Sequence, residues 1–285
     1  MEKKCDLHTH SVYSDGTCTP AEILRQAEEM GLSHVALTDH NTVSGLVEFL
    51  QAADGLQVIP VPGIEFSCGW QGKEVHMLGL FLQPEHFEKV HAFVQQLHQR
   101  KDESNRQLVK KLQEKGYDLC YDELVQKTVG GHINRAHIAQ SMLEKGYVSS
   151  VEEAVKGILS PAYGLYRPSE RLDAMEAIRF IRSVQGAAVL AHPFLNQGAE
   201  ELERFLPLAK EAGLDGMETQ YPLFDEKTEK AARALAERFS LLESGGSDFH
   251  GAIKPHIALG TGKGSLFVPE RFARQMEKHV QEKNA

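Results

Sequence analysis

Apolar positions in the first eighty residues come in short bursts, each followed by a stretch with helical spacing. His34 to Thr38 and Gln57 to Phe66 read as strands, and Val75 and Met77 alternate with His76 and Leu78 over 74–81. Between them, Thr19-Pro20-Ala21-Glu22 predicts a capped helix start and Gly31 its end, while Leu46, Phe49 and Leu50 mark a second helix. From Pro84 the period changes: Phe87, Val90, Val94, Leu97, Leu108 and Leu112 predict a long polar helix over 84–116. Helical character continues through 121–126 and 134–144 and through a helix capped at Ser150. Alternation resumes with a helix from Ser169, then strands over 186–192 and 214–219, a helix over about 225–238, and a segment at 240–243. A short strand ending at Val268 and a helix opened by Pro269 close the pattern.

Repeated strand–helix units predict a parallel sheet, either closed or doubly wound. Polar clusters fall at the C-terminal ends of the predicted strands: His8 and His10, Asp39-His40, Glu65, His192, and Asp248 with His250. Chemistry gathered from many strand ends is the habit of a barrel, whereas an open sheet concentrates it at one switch point. The expected organisation is a barrel in two parts, 1–97 and 168–285, interrupted by an inserted helical lid subdomain over 98–167.

Composition narrows the class without changing that picture. Hydrophobic residues at 41% and charged residues at 25% are those of a globular chain, and no apolar run approaches the ~20 residues of a membrane span. Nothing at the N-terminus resembles a signal-peptide core, so a cytoplasmic location is expected. Four widely spaced cysteines suit reduced thiols better than a disulfide framework. A net charge of -9 argues against broad electrostatic capture of nucleic acid, although it permits a phosphorylated substrate if the carboxylates hold metal ions.

The candidate chemistry begins at Asp6-Leu7-His8-Thr9-His10-Ser11, where alternate residues of an extended strand place His8 and His10 on one side. With Asp15, His40, Glu65, His76, His192, Asp248 and His250, they make six imidazoles and three carboxylates, too many for one ion. Such a set can hold two or three divalent ions. Mixed nitrogen and oxygen donors without thiolate favour Mn²⁺, with Zn²⁺, Fe²⁺ or Mg²⁺ as alternatives.

Taken in order, Asp6-Leu7-His8-Thr9-His10-Ser11 with Asp15-Gly16, Thr38-Asp39-His40, Gly63-Ile64-Glu65, His76, Ala191-His192-Pro193 and Ser247-Asp248-Phe249-His250 resemble the successive motifs of the PHP (polymerase and histidinol phosphatase) superfamily. The resemblance implies an α/β fold, a distorted (β/α)7 TIM-like barrel, with a bi- or trinuclear metal centre. It implies that His8, His10, Glu65 and Asp248 hold one ion, that Glu65 bridges to a second held by His76 and His192, and that Asp15, His40 and His250 take a third. All nine positions carry residues of the family's type.

Within the superfamily, Gly131-His132-Ile133-Asn134-Arg135-Ala136-His137 is similar to a subgroup that removes the 3'-phosphate of nucleoside 3',5'-bisphosphates and includes 5'-3' exoribonucleases. Arg135, with His137 and Asn134, is the expected phosphate contact. Arg100 and Lys101 fall where the subgroup tends to carry arginines, and Ser104 stands where another is expected. Tyr163 and Tyr166 could close over a base or ribose. The expected activity is hydrolysis of a phosphate monoester of a small nucleotide by a metal-bridging hydroxide. Asp248, His192 and His250 would lie at the reacting centre, with His250 or His192 as proton donor. One rival is a 5'-3' exoribonuclease acting on short RNA ends, and another is a metal-binding regulatory protein without turnover. The oligomeric state is not legible.

Overall fold

A computed structural model describes residues 3–127, 133–167 and 169–285. The chain divides into two compact units, Met1–His91 with Arg171–Ala285, and Ala92–Glu170.

The first unit is built on a curled mixed sheet. Its elements are α1 (Pro20–Glu29), β1 (His34–Leu37), α2 (Leu46–Ala52), β2 (Ile59–Trp70), β3 (Lys73–Leu80), β4 (Leu172–Asp173), α7 (Ala174–Ser183), β5 (Ala187–Leu190), α8 (Ala199–Ala212), β6 (Gly216–Gln220), α9 (Glu226–Arg238), β7 (Leu242–Gly245) and α10 (Glu270–Asn284). Strand order is β1-β2-β3-β5-β6-β7, with the two-residue β4 beside β2. Helix α1 begins as its sequence predicts: Thr19 Oγ1 accepts from the Glu22 amide, and Glu22 returns a carboxylate oxygen to the Thr19 amide.

The sheet is not wholly parallel. Strand β3 runs antiparallel to both β2 and β5, pairing Ser67 with His76 and Leu78 with Val189. The cause is local, because only two residues, Gln71 and Gly72, join β2 to β3. With φ of 49° and 80° they form the tight reversal that a hairpin needs and a parallel crossover cannot use. The helix expected from Ser169 starts instead at Ala174, where Asp173 accepts from the Met175 and Glu176 amides as its cap.

The segment from Lys4 to His10 lies between the first and last strands of the sheet. On one side Asp6 donates its amide to His34 O and the Thr38 amide bonds to Thr9 O; on the other, Leu7 donates to Gly245 O and His10 to Phe249 O. Asp6 fixes this arrangement. Fully buried, its carboxylate accepts from the amides of His8 (3.3 Å), Ser247 (2.8 Å) and Gly260 (2.7 Å). A side chain at position 246 would break the fit, since a Cβ on Gly246 would lie 2.4 Å from His8 Cβ. The apolar core beneath draws on Cys5, Leu7, Ala36, Val61, Leu78 and Val189 and is covered by Phe272, Met276 and Val280 of α10.

The second unit is helical: most of α3 (Phe87–Glu114), then α4 (Tyr121–Gln126), α5 (Arg135–Glu144) and α6 (Val151–Lys156). It has its own core of Leu108, Leu112, Leu124, Ile138, Met142 and Leu159.

Removing the Asp6 acceptor leaves three buried amides unpaired, each costing about 1–3 kcal/mol. Asp6→Ala is therefore expected to lower unfolding stability by about 3 kcal/mol or more in a urea titration. A loss below about 0.5 kcal/mol would show that Asp6 does not tie these segments together.

Candidate metal centre

Strand ends bring all nine ligand-type residues of the sequence into one connected cluster. His8 and His10 come from the N-terminal segment, and the Asp248 amide bonds to His8 O, so the last motif is laced to the first. His40 pairs with Glu65 across β1 and β2, through the Glu65 amide to Asp39 O and the Asn41 amide to Glu65 O. The β2–β3 hairpin adds His76, β5 leads to His192, and β7 leads to Asp248 and His250. Asn41, His192 and Asp248 hold left-handed backbone, with φ of 48°, 30° and 54°, a strain that clusters where side chains must be aimed.

Glu65 is the hub, buried and faced by five imidazoles. Its Oε2 lies 3.2 Å from His8 Nε2, 3.2 Å from His10 Nε2 and 3.0 Å from His40 Nδ1. Its Oε1 lies 2.8 Å from His76 Nδ1 and 3.1 Å from His192 Nε2. Asp248 Oδ1 adds contacts of 3.3 Å to His10 and 3.8 Å to His8. Further out, Asp15 approaches His250 Nε2 at 3.2 Å, and His10, Asp15, His40 and His250 offer ligand atoms within 4.8 Å of one another.

The outer ring nitrogens decide what the inner ones can do. His8 Nδ1 sits 3.0 Å from Glu218 Oε1, His76 Nε2 3.2 Å from Glu74 Oε1, and His250 Nδ1 2.8 Å from the Asp248 carbonyl. An oxygen there requires an N–H, so in each neutral ring the other nitrogen presents a lone pair. Those lone pairs face Glu65 or Asp15 oxygens at 2.8–3.2 Å, acceptor against acceptor. A cation between them, or a further proton on the ring, makes the arrangement favourable.

Without an ion, protons would meet the same demand. Burial disfavours a charged His8, yet Glu65 and Glu218 outweigh it and hold its pKa well above the ordinary value. Burial likewise raises the Glu65 carboxyl, but the His8 charge and the bonds to His10, His192 and His40 hold it well below the carboxylate range. Asp248 is depressed in the same way, against burial, by the His10 bond and the charges of His8 and His10.

The separations also suit a shared metal ion. Donors about 2.1 Å from a tetrahedral ion stand about 3.4 Å from one another. Among His8 Nε2, His10 Nε2, Glu65 Oε2 and Asp248 Oδ1, five separations are 3.1, 3.2, 3.2, 3.3 and 3.8 Å. Glu65 Oε2 and His10 Nδ1, both buried, have no well-aligned hydrogen-bond partner among the described residues, although imidazole nitrogens stand close to Oε2. The residues fit divalent ions.

Several supporting groups take their roles from partners distant in sequence. Glu218, which the sequence offers equally as a support for the site or as a core-edge carboxylate, is fully buried within β6 and also accepts the His192 amide at 2.6 Å, so one carboxylate orients two cluster histidines. Asp39 accepts from the Ser11 amide and from the Ser11 and Ser14 hydroxyls, fixing the loop that carries Asp15. Tyr221 Oη and Lys254 Nζ each donate to Asp248 Oδ2 at 2.7 Å, leaving Oδ1 for the cluster.

The predicted phosphate contacts lie in the helical unit and have local partners there. Asn134 caps α5 by accepting the His137 amide, and His137 Nδ1 accepts the Asn134 amide in return, both at 3.1 Å. The Arg135 guanidinium lies 4.8 Å from the Tyr166 ring centre and donates to Leu159 O. Arg100 and Lys101 are exposed on α3, and Tyr163 is exposed. Gly131 and His132 of the predicted motif are outside the described residues.

Comparison with known proteins agrees with this chemistry. A PHP domain model matches residues 6–165, more than half the chain. A 5'-3' exoribonuclease of Haemophilus influenzae is 31% identical over 251 residues, covering 88% of this chain and 91% of that protein. A 3',5'-nucleoside bisphosphate phosphatase of Chromobacterium violaceum is 29% identical over 247 residues, 86% of each chain. A solved structure from Bifidobacterium adolescentis, described as a candidate metal-dependent phosphoesterase, superposes with a TM-score of 0.70 at 25% identity, covering 96% of this chain and 95% of that one. With the domain match, these relatives and a donor cluster built for divalent ions, the chain belongs to the PHP domain family of metal-dependent phosphoesterases.

Proposed function

We propose that the enzyme hydrolyses a phosphate monoester of a small nucleotide, such as the 3'-phosphate of a nucleoside 3',5'-bisphosphate. The observation that carries this reading is the convergence of five imidazoles on the buried Glu65 carboxylate, with Asp248 and Asp15 at its flanks. His8, His10, Glu65 and Asp248 would hold one ion, Glu65 with His76 and His192 a second, and Asp15 with His40 and His250 a third, Mn²⁺ being the metal we expect. Bound there, divalent ions supply charge neutralisation for a phosphoryl group and a nucleophile at neutral pH. The finer fold we infer is a distorted (β/α)7 barrel closed by the Lys4–His10 segment, supported by that segment's bonds to β1 on one side and to the β7 end on the other.

The chain's own groups then position and protonate. Glu218 holds His8 and the His192 backbone, Asp39 holds the Asp15 loop, and Tyr221 with Lys254 turns one Asp248 oxygen inward. Asp15, 54% exposed and 3.2 Å from His250 Nε2, offers a path for a proton from solvent to that nitrogen. With the third site empty, His250 is our first choice of donor to the leaving alkoxide, ahead of His192; with that site filled, its Nε2 is a ligand and a water takes the role.

A second reading has its own support, since the exoribonuclease relative is 31% identical. A strand end bearing a 5'-phosphate carries its 3'-phosphate as a diester to the next nucleotide, and the cluster would attack that phosphorus with the adjoining nucleoside oxygen as leaving group. The -9 net charge supplies no long track for RNA, which favours the mononucleotide.

Three outcomes are expected. Glu65→Gln should cut phosphomonoesterase turnover with Mn²⁺ by at least about 10³-fold and lower bound metal measured by plasma emission, with circular dichroism unchanged; retained turnover would sink the assignment. Glu218→Gln, which leaves every proposed ligand in place, should weaken metal affinity by about 10–100-fold in a chelator competition. Side by side, adenosine 3',5'-bisphosphate should give a kcat/KM about ten-fold or more above that of a 5'-phosphorylated oligoribonucleotide. The reverse order would select the exoribonuclease.

A further inference from the structure

Beside the metal cluster, and sharing Asp248 with it, lies a cavity of about 320 Å³. It sits at the lower end of the ~300–1,000 Å³ typical of small-molecule sites. Its walls are mainly apolar, with Tyr221, Leu223, Ile253 and Ile257 on its surface beside two lysines, Lys254 and Lys263. Leu223 and Ile253 are 50% and 63% exposed, so large apolar groups face solvent at the rim. Such a ring of exposed hydrophobes around a concavity is a surface ready for a flat organic group.

The two lysines have different tasks. Lys254 is engaged with Asp248 Oδ2 at 2.7 Å, which leaves it a positioning residue for that carboxylate. Lys263 is exposed and makes no ion pair with a described residue. Its backbone is nevertheless fixed. It stands between Gly262 and Gly264, whose φ values of 55° and 109° make the turn, and Ala258 and Gly262 exchange two amide bonds of 2.8 Å. The same loop is tied to the buried Asp6 through the Gly260 amide. In a chain of net charge -9, an unpaired lysine on an anchored turn at the mouth of an apolar cavity suits an anionic group on a ring-bearing ligand.

We propose that this cavity holds the nucleoside of the substrate against Leu223, Ile253 and Ile257, with Lys263 pairing the phosphate that is not cleaved. This rests on the phosphatase reading and adds its specificity site. A ligand seated here touches Asp248, the one cluster residue that also lines the cavity, and the proposal places its second phosphate ester on the cluster side of that carboxylate.

The test compares adenosine 3',5'-bisphosphate with adenosine 3'-monophosphate, which lacks the phosphate assigned to Lys263. In Lys263→Ala the ratio of kcat/KM values, bisphosphate over monophosphate, should fall about ten-fold through KM, equivalent to about 1.4 kcal/mol, and Lys263→Arg should restore most of it. Ile253→Asp, at a rim position that forms no part of the core, should raise KM about five-fold or more for both nucleotides. A ratio within about two-fold of wild type in Lys263→Ala, or an unchanged KM in Ile253→Asp, would overturn the cavity assignment while leaving the phosphatase reading intact. Wild-type protein that hydrolyses neither nucleotide would instead remove the reading on which the cavity assignment rests.

Discussion

One buried carboxylate meets five imidazoles, and the rest of the first unit is arranged to make that tolerable. Glu65 cannot be solvated where it lies, and neutral rings whose outer nitrogens are already donating, as in His8 and His76, oppose it with their inner ones. Divalent ions resolve the conflict by turning mutually repelling lone pairs into ligands of a common charge. The supporting groups follow from this need. Glu218, Glu74 and the Asp248 carbonyl set ring orientation from outside, and left-handed backbone at Asn41, His192 and Asp248 aims side chains that a regular strand end would direct elsewhere.

Delivering those side chains explains two departures from a uniform strand–helix alternation. His76 reaches Glu65 because β3 folds straight back on β2: Ser67 opposes His76, and Glu65 lies two residues along on the same face of its strand. A helical crossover would place the next strand's C-terminal end beside Glu65, and with it a different part of that strand. The N-terminal segment solves a related problem. It must bond to β1 and to the end of β7 at once, and Asp6 makes this possible by collecting amides from its own segment, from Ser247 and from the Gly260 turn. Residues about 240 positions apart in sequence thus set the His8–Asp248 geometry together.

What was legible in the sequence follows from which constraints are chemical and which are geometric. Metal chemistry restricts residue type severely, so His8, His10, His40, Glu65, His76, His192, Asp248 and His250 stand out at strand ends whatever the exact backbone path. Helix caps are nearly as legible: Thr19 and Ser150 start α1 and α6 by bonds confined to four residues. The direction of β3 rested on the Gln71-Gly72 turn, a weaker signal than Asn-Gly. The roles of Tyr221, Lys254 and Asp39 depend on partners distant in sequence, and a tyrosine or lysine in a loop carries no mark of the carboxylate it will meet. Asn134 and His137 show the converse: their motif resembles a phosphate contact, while their local bonds are those of a helix cap.

An acidic protein with an anionic substrate presents a difficulty that the cluster itself removes. Asp15, Glu65 and Asp248 contribute about -3 and the neighbouring Glu218 about -1, which two divalent ions at about +4 neutralise and a third makes positive by about two charges. The -9 of the whole chain is therefore a poor guide to the field at the strand ends. It does bear on what lies further away. Attraction for phosphate is concentrated at the cluster and at a few lysines such as Lys254 and Lys263, with no basic surface implied by the composition to lead a polymer toward it. Beyond about one Debye length, roughly 10 Å at moderate salt, the positive centre is screened and the acidic remainder of the surface repels a polyanion. A compact phosphorylated ligand feels mainly the former, and each further nucleotide adds charge that feels mainly the latter. Discrimination by size then arises from electrostatics as well as from the dimensions of the cavity.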